Sequence, residues 1–177
     1  MRWTRRQDQT PTAAASLAGM PLVTLLCGPA AAGKTTHARR LAAGGAVRVS
    51  MDEAVWQDGW RDQDVPQARL DELHRGLQHG LADQVAAGRD VVVDLSLASR
   101  SVRDEWRTLA TEAGATVELI VLTAPLDVLW RRVQARDQSH ANAVTLTYEQ
   151  LRAYVDGFDW PASDEQATVI STDDSAD

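Results

Sequence analysis

The chain has 177 residues, 44% of them hydrophobic and 24% charged, with a formal net charge of -7. That is one ordinary domain with enough apolar residues for a core, and it excludes fibre, collagen and wholesale disorder. The acidic balance argues against a duplex- or RNA-binding module, whose footprint is basic, but leaves room for a small phosphorylated ligand in a locally positive pocket.

Residues 1–20 begin with Met1-Arg2-Trp3-Thr4-Arg5-Arg6, and Gln7-Asp8-Gln9-Thr10-Pro11 interrupts any apolar core. They read as a flexible tail rather than a signal peptide. No apolar run approaches the ~18–20 residues of a membrane span. Pro21 to Cys27 is a short apolar run ending in Gly28-Pro29, hence a buried strand. Cys27 is the single cysteine, so no internal disulfide is possible. That fits a reducing cytoplasm, and the residue reads as a small packed hydrophobe.

A loop to Gly33 follows, then a helix from Lys34 to Ala43 stopped by Gly44-Gly45. Ala46 to Ser50 is a second strand, and Trp56 to Asp64 reads as polar and irregular. Pro66 opens a helix to about Ala87, with Leu70, Leu73, Leu77, Leu81 and Val85 on one face. Val91 to Leu95 is a β-branched strand, apolar on both faces as a central parallel strand is. Ser99 or Ser101 can cap a helix to Ala113, which Gly114 closes. Val117 to Leu122 is a strand, and Pro125 to Arg136 a helix with Leu126, Leu129, Trp130 and Val133 on its apolar face. Asp137 to Thr145 reads as a mobile polar loop. A helix then runs from Thr147 to about Val155, and a last strand from Ala167 to Ser171.

This alternation predicts an α/β fold, a parallel five-stranded sheet with helices on both faces and a small mobile lid. Residues 21–171 form the expected domain, and residues 172–177 an acidic tail.

Gly28-x4-Gly33-Lys34-Thr35 is the Walker A pattern of a P-loop, set between a predicted strand and a predicted helix. The glycines let the chain curl so that backbone N–H groups, from Gly28 and Ala30 through Ala31, Ala32 and Gly33, converge on one anion. The helix start adds its positive end. Lys34 is expected to reach the β- and γ-phosphates of ATP. Thr35 is expected to ligate Mg²⁺, a cation that prefers hard oxygens, and Thr36 to contact the α-phosphate.

Asp52 and Glu53 follow the second strand, and ligands of open α/β sheets lie beyond the carboxyl ends of strands. Asp52 is therefore aimed at the γ-phosphate region, where a carboxylate accepts a proton from an acceptor hydroxyl. Asp also favours helix N-caps, and both readings stand at this point. Glu53 either caps or contacts substrate. Asp94, ending the Val91-Val92-Val93 strand, holds Mg²⁺ through water, orients the acceptor, or is a buried Asp bonded to nearby backbone.

Arg132 and Arg136 share a helix face beside the polar loop. They close over phosphates as lid residues or form a solvated face. Arg100 and Arg103 near the same rim either bind the acceptor or are surface charges. Trp56 and Trp60 form a wall for the acceptor or pack under the loop. Trp106 and Trp130 read as core, and Trp160 is set to flank the adenine. The four histidines lack metal-ligand spacing.

With these residues in hand, the chain resembles the small P-loop kinases of the AAA domain 33 or zeta-toxin-like type. These are related to the kinase domain of polynucleotide kinases and to chloramphenicol phosphotransferase. The matching stretches are 25–36, 49–53, 91–100 and 124–133, within residues 20–171. The resemblance implies a nucleoside-monophosphate-kinase-like fold, an Asp base at Asp52 and a lid arginine at Arg132 or Arg136. Polynucleotide kinases carry a basic residue just after the base. Here Glu53-Ala54-Val55-Trp56-Gln57-Asp58 follows, with no Arg or Lys before Arg61. The expected activity is therefore ATP-dependent transfer of a phosphoryl group to a hydroxyl of a small molecule, with nucleic acid and membrane not expected as partners. A nucleotide-binding switch without catalysis, and a toxin-like kinase of a nucleotide-sugar or 5′-hydroxyl nucleic acid, are the alternatives. No Asn-Lys-x-Asp segment marks a GTPase. The sequence is silent on oligomeric state.

Overall fold

Alternating burial faces along three apolar strands require a layer of helices on each side of one sheet. The computed structural model, which describes residues 19–60, 64–135 and 146–173, has that form. Its strands are β1 (Leu22–Cys27), β2 (Val47–Ser50), β3 (Val91–Asp94), β4 (Thr116–Thr123) and β5 (Thr168–Ser171). They lie in the order β2-β3-β1-β4-β5, and every pairing is parallel. The α/β class and the five-stranded parallel sheet are as the sequence predicts.

The helices are α1 (Lys34–Ala43), α2 (Met51–Gln57), α3 (Gln67–Ala86), α4 (Arg100–Glu112), α5 (Leu126–Gln134) and α6 (Tyr148–Asp156). On one face of the sheet, Val23, Leu25, Cys27, Val91 and Val93 pack with Leu81 of α3 and Trp106 of α4. On the other, Leu26, Val92, Ile120 and Leu122 pack with Ala38 of α1, Leu129 of α5 and Leu151 of α6. The period of two within each strand thus feeds two cores. Chain order reverses at β1, with β3 on one side and β4 on the other, so the loops after β1 and β3 diverge and open a crevice.

Three local readings need correction. The stretch read as irregular from Trp56 begins within a helix: Trp56 and Gln57 end α2, which starts at Met51 directly after β2. Ser50 accepts a hydrogen bond from Glu53 N–H at 3.4 Å and starts α2, and Asp52 and Glu53 in its first turn suit the helix dipole. Ser99 occupies the N-cap position of α4 but makes no cap bond; its hydroxyl meets that of Ser101 at 3.1 Å. The Arg100 N–H donates instead to Asp159 Oδ2 at 2.8 Å. Arg103 is not at the rim: it is wholly buried and donates to both carboxylate oxygens of Glu165, at 2.6 and 2.9 Å. The lid call on Asp137–Thr145, and Arg136 with it, lies outside the described residues.

Candidate active site

The loop after β1 is shaped by backbone that side chains cannot follow. Gly28 has φ 141, and a Cβ there would lie 2.1 Å from the carbonyl oxygen of Leu122 on β4. Gly33 has φ 94, and Ala31, a residue with a Cβ, sits at φ 63. A non-glycine residue in the left-handed region is the kind of local strain that functional loops hold. The turn ends at the N-terminus of α1, whose backbone N–H groups and positive dipole end favour an anion. Lys34 Nζ folds back onto the carbonyls of Gly28 (2.7 Å) and Pro29 (3.0 Å), across the mouth of that turn.

Behind the loop, Thr172 Oγ1 donates to the carbonyl of Ala32 at 3.1 Å, and its N–H bonds Thr123 O at 2.8 Å. Arg132 of α5 donates through Nη1 to Thr172 Oγ1 at 3.0 Å and to Ala31 O at 3.5 Å, and through Nη2 to the Thr172 carbonyl. Arg132 therefore braces the phosphate loop against the chain leaving β5 while bordering the cleft. Arg131 points elsewhere, 4.0 Å from Asp127 on an exposed face.

At the end of β3, Asp94 is buried and its two oxygens are differentiated. Oδ2 accepts from Arg48 Nε at 3.0 Å and Nη2 at 2.8 Å. Oδ1 accepts from the Thr35 hydroxyl at 3.5 Å. Arg48 also donates to Glu53 at 2.9 Å and to Ser50 Oγ at 3.2 Å. Glu53 thus neither caps α2 through its side chain nor borders the cleft. The sequence reading missed Arg48. Its signal was the alternation Val47-Arg48-Val49-Ser50, which puts Arg48 and Ser50 on one face of an edge strand.

A cleft of 880 Å³ joins these parts. Lys34, Thr35 and Thr36 border it from the loop, Asp52 from α2, Asp94 from β3 and Arg132 from α5. Asp52, second residue of α2, is exposed, and Ser50 does the capping. Trp160 packs on Phe158, ring centroids 4.7 Å apart, and is not among the cleft residues. Trp56 is half-buried on α2, and Trp60 donates to Asp58 at 3.1 Å; neither borders the cleft. Trp106 is core, and Trp130 meets Tyr148 edge to face. Burial pushes the imidazole of His37 on α1 down, and nearby Arg40 adds to this. Among the described residues no group of His, Cys, Asp and Glu forms a metal cluster, and no helix is long and apolar enough to cross a membrane.

A strained glycine loop feeding a helix at the point where sheet order reverses, with an acid on the neighbouring strand, defines a P-loop phosphotransferase of the kinase type. More particularly, the chain belongs to the AAA domain family (AAA_33), whose profile matches residues 23–161. It is 31% identical over 150 residues to the ribose 1,5-bisphosphate phosphokinase PhnN of Rhodopseudomonas palustris, covering 73% of this chain and 74% of that protein. Solved structures share the fold at lower identity. A chain of the Pnkp1/Rnl/Hen1 RNA repair complex is 18% identical with TM-score 0.68, over 78% of this chain and 44% of that one. The present chain therefore spans less than half of that relative. The APS kinase CysC of Mycobacterium tuberculosis, in complex with AMPPNP and APS, is 19% identical with TM-score 0.60, over 88% and 91%. A gluconokinase of Sinorhizobium meliloti 1021 is 18% identical with TM-score 0.55, over 86% and 82%.

Proposed function

We propose that the protein transfers the γ-phosphoryl group of ATP to a hydroxyl of a small molecule, in the cytoplasm. One observation carries the reading: the Asp52 carboxylate borders the same cleft as Lys34 and Thr35, and a nucleotide binder without catalysis needs no such acid there.

The residues fit the nucleotide and its cation. A Cβ at Gly28 would collide with the Leu122 backbone, so this position takes glycine alone, and a turn of this kind with its amides facing inward would hold an anion. Thr35 and Asp94 offer hard oxygens 3.5 Å apart, the donor type Mg²⁺ selects. When bound there, Mg²⁺ would neutralise phosphate charge. Lys34 swings from the Gly28 and Pro29 carbonyls to the phosphates. Thr35 would be a ligand, and Asp94 would act through its Oδ1 side, since Arg48 occupies Oδ2. Arg132 holds the loop and adds positive charge at its edge, where transition-state charge is stabilised; by sequence pattern, Arg136 is the second candidate to stabilise that charge.

Asp52 accepts the hydroxyl proton as the acceptor oxygen forms its bond to the γ-phosphorus. The bond to the β,γ-bridging oxygen breaks, and its electron pair leaves on ADP. A phosphorylated sugar, the substrate type in the name of the PhnN relative, is a second reading for the acceptor.

The test is ADP release from Mg·ATP across a panel of hydroxyl compounds, with Asp52→Asn alongside. The expected result is stimulation by one acceptor and a loss of about 10²–10⁴-fold in the variant, the range for a removed general base. Tight ATP binding with no stimulation by any acceptor, and a silent Asp52→Asn, would favour a nucleotide switch instead.

A further inference from the structure

We infer that the acceptor is a neutral or cationic alcohol carrying a flat apolar face, and that phosphorylated or carboxylated sugars are poor acceptors. The inference rests on the kinase reading above and narrows its substrate class.

The cleft has two chemically distinct ends. The phosphate loop and Arg132 line one. The other is walled by Met51 at the start of α2, Leu95 just past β3, Val102 and Trp106 on α4, and Tyr154 on α6. Its polar groups are few. The Ser96 hydroxyl is bonded to the Tyr154 hydroxyl at 2.9 Å, and the His74 ring stands edge-on to Trp106, centroids 5.4 Å apart.

The three arginines of α4, the helix that carries Val102 and Trp106, are each paired with a carboxylate. Arg100 donates to both oxygens of Asp164, at 3.2 and 2.6 Å. Arg103 does the same to Glu165 inside the core, at 2.6 and 2.9 Å. Arg107 pairs with Asp104 at 3.0 Å. None of the three borders the cleft. Among the described residues the lysine and arginine that do border it, Lys34 and Arg132, both belong to the loop end. A phosphate or carboxylate on the acceptor would lose its water beside apolar side chains and two acids, Asp52 and Asp94, with no guanidinium among the described residues of this wall to receive it. An apolar face gains from the same wall by leaving water, and an aromatic one gains further from contact with the half-buried ring of Tyr154. An amine gains from Asp52 and from the aromatic rings. A hydroxyl beside such a group meets Asp52 at the junction of the two ends.

The test separates binding from turnover. With AMPPNP and Mg²⁺ present, titration calorimetry compares p-nitrophenyl glucoside and an aminocyclitol with glucose 6-phosphate and gluconate. Binding of the first pair at least tenfold tighter is expected. Anions binding as tightly or tighter, or no binding by any of the four, overturns the inference. Val102→Arg, and His74→Arg should that chain fail to fold, put a guanidinium on the wall and are expected to raise glucose 6-phosphate affinity about tenfold; no change in either overturns the wall's role. ADP release is then measured with the tighter binder. A neutral compound that binds and is never phosphorylated sinks the kinase reading while the chemistry of the wall stands.

Discussion

Arg48 on β2 holds Oδ2 of Asp94 on β3 through two nitrogens, at 3.0 and 2.8 Å. The side chains are 14% and 5% exposed, so the pair is shielded from solvent. The clasp leaves Oδ1 turned toward Thr35. Arg48→Met removes it, and a buried carboxylate stripped of its partner costs about 3 kcal/mol or more. The expected result in urea is a loss of that order. Positioning partners of metal-binding groups are worth about 10–100-fold in affinity or activity, so Mg·ATP affinity falls by a similar factor. Arg48→Lys does not rescue it, because an ammonium cannot reproduce the two-pronged geometry. Loss of stability with an unchanged Mg²⁺ dependence of ATP binding would reduce Arg48 to a strand-edge brace.

The contrast between Arg48 and the phosphate loop says what a sequence carries. Gly28, Gly33, Lys34 and Thr35 act within eight residues of chain, so spacing alone encodes their mechanism. Helix α1 falls at Lys34–Ala43, as its glycine stop signals predict. Arg48 meets Asp94 only because β2 pairs with β3 in the register Ser50↔Asp94, and strand order is not written locally. Arg103 reads as an acceptor contact or a surface charge because its partner, Glu165, lies 62 residues on. Helix α2 was hidden by its brevity and by Gly59 beyond it. The cleft gathers residues from α2, α3, α4 and α6, none of which marks itself as a ligand contact in isolation.

Ser50 caps α2 and also receives Arg48 Nη2 at 3.2 Å. Ser50→Ala removes both bonds. A lost N-cap costs about 1 kcal/mol, and the first turn that carries Asp52 loosens with it. Acceptor-dependent turnover is therefore expected to drop while ATP affinity, set at the loop, holds. Asp52→Asn has the opposite balance, losing turnover with little change in melting temperature. Identical profiles for the two variants would mean that Asp52 acts only through the helix.

Gly28→Ala and Gly33→Ala separate collision from strain. At Gly28 a Cβ would meet the Leu122 carbonyl oxygen at 2.1 Å, within the sheet's own backbone. At Gly33 the nearest atom is Thr172 Cγ2 at 3.8 Å, so only the backbone conformation, φ 94, resists. Gly28→Ala is expected to abolish ATP binding. Gly33→Ala should cost about 1–2 kcal/mol, the range for left-handed conformation with a side chain, and retain weakened binding. Equilibrium titration with a fluorescent ATP analogue reads both.

Arg103 and Glu165 form an ion pair inside the core, their side chains 0% and 1% exposed. Arg103 also donates to the carbonyls of Leu97 (3.2 Å) and Asp159 (2.8 Å), tying α4 to the segments that follow β3 and α6. The Arg103 guanidinium pulls the Glu165 carboxyl below its ordinary range, burial pushes the other way, and the Ala162 N–H helps to hold it down. A carboxyl depressed on folding stabilises the protein above its unfolded value, about 4.3 for Glu. That stability is lost as pH falls below this value and through the folded one. Glu165→Gln is expected to flatten the acid limb of the stability profile in that window. Arg103→Met leaves a buried carboxylate unpaired and costs about 3–5 kcal/mol, whereas Arg103→Met with Glu165→Leu recovers much of the loss, because apolar packing replaces a buried pair at little cost. Chemical denaturation at pH 7 of the wild-type chain, Arg103→Met, Glu165→Leu and the double variant gives the coupling energy directly. A double variant as unstable as Arg103→Met alone would show that the bonds to Leu97 and Asp159, rather than the ion pair, hold α4 in place.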